Sequence, residues 1–317
     1  MKIAFVFSGQ GSQYIGMAKE LYDNVLSSKE VLDKAEKLLD FDIKELMFNG
    51  EKEKLNITEF TQPAVLITSI MALKAIEEKD IKAEIVAGLS LGEYSALIAS
   101  GAMTLEDGVK LIRKRGRLMQ EAVPLGIGSM AAIIGLSIDK IKEAISEAKN
   151  LGVVEIANYN TNKQIVIAGE KLAVEKAKEI CMELGARRAI DINVSGPFHT
   201  SLLNQASNKL REELNNVSFE TPQIKIISNV NADFITDKEN IKNILCRQIK
   251  SSVRWSESIE KMIDSGIDTF IELGPGKVLS GFIREIIREK GIKANIYNVE
   301  DIKSLEKTIE GIEKLND

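Results

Sequence analysis

Residues 88–92 read Gly88-Leu89-Ser90-Leu91-Gly92, with Glu84-Ile85-Val86-Ala87 running in and Gly92-Glu93-Tyr94-Ser95-Ala96-Leu97 running out. A strand, a sharp turn and a helix are what a serine nucleophile elbow requires, and the flanking glycines leave room for the strained turn. Such an elbow would lift Ser90 Oγ to the carboxyl edge of a sheet and set the Leu91 N–H, at a helix start, towards a developing oxyanion. The plainer reading is a serine that caps a helix. A serine hydroxyl needs a base at neutral pH, and the chain has 1 histidine, His199. An imidazole mechanism therefore has one candidate, and a multi-histidine metal site is excluded. His199 follows Gly196-Pro197-Phe198 between an expected strand at 187–193 and a helix from about 200. That is another strand-to-helix junction, on the edge where open α/β sheets form their sites. The alternative is a histidine simply packed in a loop. Gly9-Gln10-Gly11-Ser12-Gln13 lies just after the first expected strand. It lacks the Lys-Ser/Thr of a phosphate loop and the dinucleotide fingerprint, so it is expected to offer backbone N–H groups to an oxyanion.

Arg113-Lys114-Arg115-Gly116-Arg117 at first looks like a solvated basic cluster. On a helix over 105–122, however, Arg115 points about 200° from Arg113 and Arg117 and shares its face with Leu111, Ile112, Leu118, Met119 and Ala122. A guanidinium inside an apolar stripe must be paired, because an unpaired buried charge costs several kcal/mol. Its partner is either a structural acid or an anionic substrate, and arginine suits a carboxylate through two parallel charge-assisted hydrogen bonds.

The elements around these residues predict an α/β protein with a parallel sheet. They run strand 3–7, helices through 15–48 and 61–78, strand 84–88, a helix from 91 and a long helix over 105–122 stopped by Pro124 and Gly126. Residues 127–194 have their own rhythm: strand 129–135, helix 138–149, strands 152–158 and 164–168, helix 171–184 and strand 187–193. This βαββαβ order predicts a ferredoxin-like small domain inserted into a larger one formed by 1–126 and 195–317. The larger domain then resumes with helix 200–215, strand 224–228, helical pieces over 238–265, strand 268–273, the Gly274-Pro275-Gly276 turn, helix 277–290, strand 295–298 and a last helix.

Composition narrows the function classes. The 317 residues can bury roughly three quarters of the unfolded surface, enough to enclose a site. With 42 basic and 47 acidic residues there is no global positive field for nucleic acid. No stretch approaches the ~18 apolar residues of a membrane span, and the start breaks too early for a signal peptide, so a cytoplasmic protein is expected. Cys181 and Cys246 lack the paired spacing of a zinc site and read as reduced thiols.

Taken in order, Gly9–Gln13, Thr61-Gln62-Pro63-Ala64, Gly88–Tyr94, Arg115-Gly116, Gly196–His199, Arg247-Gln248 with Val253-Arg254-Trp255, and Gly274–Leu279 resemble the malonyl-CoA:acyl carrier protein transacylases over nearly the whole chain. The resemblance implies a hydrolase-like α/β domain with a ferredoxin-like insert. It implies Ser90 as nucleophile, His199 as base, Arg115 as clamp on the malonyl carboxylate, and Gln10 and Leu91 as oxyanion-hole amides. Gln248 would hold the imidazole through its backbone carbonyl, and Phe198 and Gln62 would bind substrate. The family usually carries histidine before the nucleophile, where Leu89 stands here. Phe198 resembles the malonyl-type members and argues against a branched methylmalonyl substrate.

The implied activity is ping-pong transfer of malonyl from malonyl-CoA to the phosphopantetheine thiol of acyl carrier protein for fatty acid synthesis. It needs no metal or organic cofactor, and the protein is expected to be a monomer. An acidic carrier would dock on a local basic patch. Three rivals remain at this point: a serine thioesterase or esterase, with Asp191 as the acid on the histidine; a silent scaffold module; and a discrete acyltransferase of a polyketide pathway.

Overall fold

The computed structural model describes every residue except Leu125, Asn193, Ser195 and Asp317. The expected strand end at Asn193 and the domain return at Ser195 lie outside the described residues. The strands are β1 (Ile3–Phe7), β2 (Ile85–Gly88), β3 (Gly128–Ile134), β4 (Val154–Thr161), β5 (Gln164–Glu170), β6 (Arg188–Asp191), β7 (Lys225–Ile226), β8 (Thr269–Leu273) and β9 (Asn295–Val299). They form a five-stranded sheet in the order β7-β2-β1-β8-β9 and a four-stranded sheet in the order β4-β5-β3-β6. The first is parallel throughout and the second antiparallel throughout.

The continuous apolar run Ile-Ala-Phe-Val-Phe makes β1 a strand with helices over both faces, since parallel sheets are buried on two sides. Ile3, Phe5 and Phe7 enter the larger core with helices Thr58–Glu77, Gly92–Ala99 and Leu105–Glu121, whereas Ala4 and Val6 enter a second core with helices Trp255–Asp264 and Val278–Lys290. This period of two fixes the register and brings the ends of β1, β2 and β8 to one edge. Helix Leu105–Glu121 starts where Thr104 Oγ1 accepts from the Asp107 N–H, with Glu106 and Asp107 in its first turn.

In the antiparallel sheet, Ala131, Ile133, Ile165 and Ile167 pack against helices Ile138–Ala148 and Lys171–Glu183. The alternate residues Met130, Ala132, Val166 and Ala168 face the larger core. The two sheets therefore meet across a cleft, and the chain enters and leaves the antiparallel unit side by side: a Cβ on Gly128 would lie 2.3 Å from Pro197 Cδ.

Two expectations change in detail. The strand at 224–228 contracts to Lys225–Ile226, and the helix expected from 200 begins at Asn204 after a short turn of 3-10 helix over Ser201–Leu203. The strand before His199 is β6, which pairs antiparallel with β3. His199 thus does not leave the parallel sheet; it is delivered to that sheet's edge from the antiparallel unit.

Candidate active site

The elbow follows β2 as a tight turn into helix Gly92–Ala99. A Cβ on Gly88 would lie 2.0 Å from the Gly92 backbone, and one on Gly92 would lie 2.3 Å from the Phe7 carbonyl oxygen. Only glycine fits at these two positions. Ser90 itself takes φ 55, and His199 takes φ 62. A left-handed conformation at a non-glycine residue costs about 1–3 kcal/mol and persists only where its surroundings enforce it.

Ser90 Oγ lies 2.7 Å from His199 Nε2. On the other side of the ring, Nδ1 lies 2.9 Å from the Gln248 carbonyl and 3.2 Å from that of Ser251. Carbonyl oxygens only accept, so the proton sits on Nδ1 and Nε2 is left to take the serine proton. Burial, and next the charge of Arg115, hold His199 down to about 4, which keeps the imidazole neutral at physiological pH. The loop behind it is tied to the antiparallel unit, since Val253 N–H donates to Ala157 and Tyr159 N–H to Val253. Asp191, by contrast, is exposed and pairs with Lys178 at 2.6 Å. It is therefore not the acid on this histidine.

Arg115 is fully buried, 0% exposed. Its Nη1 donates to Gln62 Oε1 at 2.9 Å, and its Nη2 donates to Ser90 Oγ at 3.1 Å and to Gln248 Oε1 at 3.0 Å. The guanidinium lies 5.3 Å from the Tyr94 ring centre, and Nε has no partner among the described residues. Its direct hydrogen-bond partners are neutral. The compensating acid is one residue further, because Gln248 Nε2 donates to Glu93 Oε2 at 3.1 Å as well as to the Ser90 carbonyl at 2.8 Å. Burial pushes Glu93 up to about 7, against hydrogen bonds from Asn229 and Gln248 and the charge of Arg115.

The sequence candidates thus converge, with different functions in the geometry. Gln248 touches His199, Arg115 and Ser90 at once. Gln62, expected to bind substrate, is 1% exposed, and its amide meets Arg115, Gln10 at 3.4 Å and Met119. Neither the Gln10 nor the Leu91 N–H has a hydrogen-bond partner among the described residues. Phe198 lines the cleft of about 230 Å³ that opens onto Ser90 and His199, together with Gln10, Leu89, Met130, Asn158, Asn160 and Val166. Sequence reasoning missed Glu93 and Asn229. Glu93 could have been found as Arg115 was, as a charge inside the apolar helix Gly92–Ala99; Asn229 left no local signal.

Among the described residues no group of His, Cys, Asp and Glu could hold a metal ion, and no helix is long and apolar enough to cross a membrane. Residues 4–311 match the acyl transferase domain family. The chain is 45% identical to the malonyl CoA-acyl carrier protein transacylase of Bacillus subtilis (strain 168), over 100% of this chain and 99% of that one. The crystal structure of a malonyl CoA-acyl carrier protein transacylase from Clostridium perfringens superposes with a TM-score of 0.95 at 47% identity, covering 100% of this chain and 98% of that one. A malonyl-transacylase solved in complex with a holo type II PKS acyl-carrier protein superposes at 0.94 and 37% identity, covering 98% of this chain and 100% of that one.

Proposed function

The chain belongs to the acyl transferase family, and from that premise we propose that it moves malonyl from malonyl-CoA to the phosphopantetheine thiol of an acyl carrier protein in fatty acid synthesis, through an ester on Ser90. The observation that carries the reading is that one serine oxygen lies 2.7 Å from a neutral imidazole nitrogen and 3.1 Å from a buried guanidinium. A plain esterase has no use for the second contact.

His199 Nε2 takes the Ser90 proton as Oγ attacks the thioester carbonyl carbon, and the tetrahedral oxyanion is held by the Gln10 and Leu91 amides. The intermediate collapses with cleavage of the C–S bond, and His199 returns its proton to the sulfur of coenzyme A. In the second half, His199 deprotonates the carrier thiol, the sulfur attacks the ester carbonyl, and Ser90 leaves with the proton. The scheme uses no metal or organic cofactor.

Arg115 spends three of its five N–H donors on Gln62, Gln248 and Ser90. Its unspent donors can take the distal carboxylate of malonyl, a charge-assisted interaction worth about 1.5–3 kcal/mol, or about 10- to 150-fold over acetyl. We read residues 1–126 and 195–317 as a hydrolase-like domain and 127–194 as a ferredoxin-like insert, a reading supported by the strand order β4-β5-β3-β6. A monomer in the cytoplasm completes the proposal. The relative bound to a type II PKS carrier supports a carrier as the acceptor and keeps a polyketide carrier as the second reading.

Intact-mass measurement of wild type and Ser90→Ala with malonyl-CoA or acetyl-CoA, followed by a pantetheine thiol, tests the scheme. The expected result is a malonyl adduct on wild type alone, discharged by the thiol. Free malonate released without a thiol would identify a hydrolase, and an unchanged thioester would identify a silent module. Rates with fatty acid and polyketide carriers then separate the two pathways.

A further inference from the structure

We propose that Asn229 is a positioning residue that locks the elbow in its left-handed turn and reserves the oxyanion site for other amides; the proposal rests on Ser90 being the nucleophile. The Asn229 side chain, fully buried, grips the turn at two points. Its Oδ1 accepts from the Ser90 N–H at 2.7 Å, and its Nδ2 donates to the Gly88 carbonyl at 2.8 Å. Both bonds fall on the segment whose middle residue has φ 55.

The clasp is itself held fore and aft. The Asn229 N–H donates to Glu93 Oε2 at 2.9 Å, and its carbonyl accepts from the Arg254 N–H at 3.0 Å. Glu93 Oε2 also receives Gln248 Nε2, so one carboxylate oxygen anchors the residue that holds the nucleophile and the residue that backs the base.

Two consequences follow for the chemistry. The Ser90 N–H is already occupied and cannot serve an oxyanion, which leaves that function to the N–H groups of Leu91 and Gln10, unpartnered among the described residues. Removing the asparagine side chain strands a half-buried N–H and a buried carbonyl on the same turn. The turn then relaxes from its strained conformation and carries Oγ off the imidazole, and a misplacement of about 1 Å costs on the order of 10²-fold in rate.

The test is fluorophosphonate labelling of Ser90, followed by peptide mass mapping, in wild type, Ser90→Ala, Asn229→Ala and Asn229→Asp. Single-turnover acylation by malonyl-CoA and by acetyl-CoA is measured alongside. The expected result for Asn229→Ala is labelling slower by on the order of 10²-fold in protein that is folded by circular dichroism. Maximal acylation should fall equally, with the half-saturating malonyl-CoA concentration and the malonyl-to-acetyl ratio unchanged, because the clamp does not touch Asn229. A general packing defect would shift those two quantities as well. Labelling of Asn229→Ala at the wild-type rate overturns the proposal. If that variant does not fold, Asn229→Asp decides by the same criterion, since it keeps the acceptor but cannot donate to Gly88. Wild type left unlabelled at Ser90 overturns the nucleophile assignment, and the clasp falls with it.

Discussion

Arg115 acts on its neighbours as a charge as much as a hydrogen-bond donor. It sits buried beside the His199–Ser90 pair and disfavours a second positive charge on the imidazole. Arg115→Ala should therefore do two things: lower malonyl-over-acetyl selectivity by about 10- to 150-fold in acylation assays, and raise the His199 pKa. Fluorophosphonate labelling of wild type should lose rate only near pH 4, whereas the acid limb of the variant should lie at higher pH. His199→Ala should slow acylation by about 10²–10⁴-fold, the usual worth of a positioned general base. The same two groups leave a signature in stability. His199 folds with its pKa below the unfolded value of 6.5, so its share of stability falls as pH drops from 6.5 to about 4. Glu93 folds with its pKa above 4.5, so its share is lost as pH rises from 4.5 to about 7. The slopes oppose each other in the overlap. Urea unfolding of Glu93→Gln should show stability rising with pH from about 4 to 6.5, and that of His199→Ala should show it falling from about 4.5 to 7.

At the level of elements, the turns carry the constraint. Gly88→Ala sets a methyl against the Gly92 backbone, which cannot retreat because Gly92 is pressed on the Phe7 carbonyl. An overpacking cost of about 1–3 kcal/mol is expected, read as a lowered thermal midpoint together with loss of Ser90 labelling. The elements were legible where the physics is local. The apolar run of β1 and the helix with Arg115 inside its stripe follow from periodicity, and the elbow from a serine flanked by glycines. What could not be read arises from long-range pairing. Strand β7 keeps only two residues because the chain then turns back on itself, Ile227 bridging Phe234 and the Ser228 N–H donating to the Asp233 carbonyl. Gln62 sits behind Arg115 rather than in the cleft, since an amide looks the same in sequence whether it meets substrate or guanidinium. Asn229 is 139 residues from the serine that it holds, a separation that no window of local pattern spans.

On the scale of the whole molecule, the net charge of -5 gives an acidic carrier no general attraction, so such a carrier would have to dock on a local basic surface. Malonyl transfer to the carrier should slow as ionic strength rises, while transfer to free pantetheine, which needs no protein surface, should not. A carrier rate flat across salt would rule out electrostatic docking. The cleft takes its floor from the parallel sheet and its opposite wall from Met130, Asn158, Asn160 and Val166 of the antiparallel one. That wall belongs to a unit into and out of which the chain passes side by side, at Gly128 and Pro197. A segment with both ends at one doorway can be lifted out and replaced as a cassette without rerouting the rest of the chain. Exchange of this unit between relatives should therefore redraw the wall that the proposed thioester arm would meet, while Arg115, the proposed carboxylate clamp, sits on a helix over the other sheet and should go on reading the same acyl group.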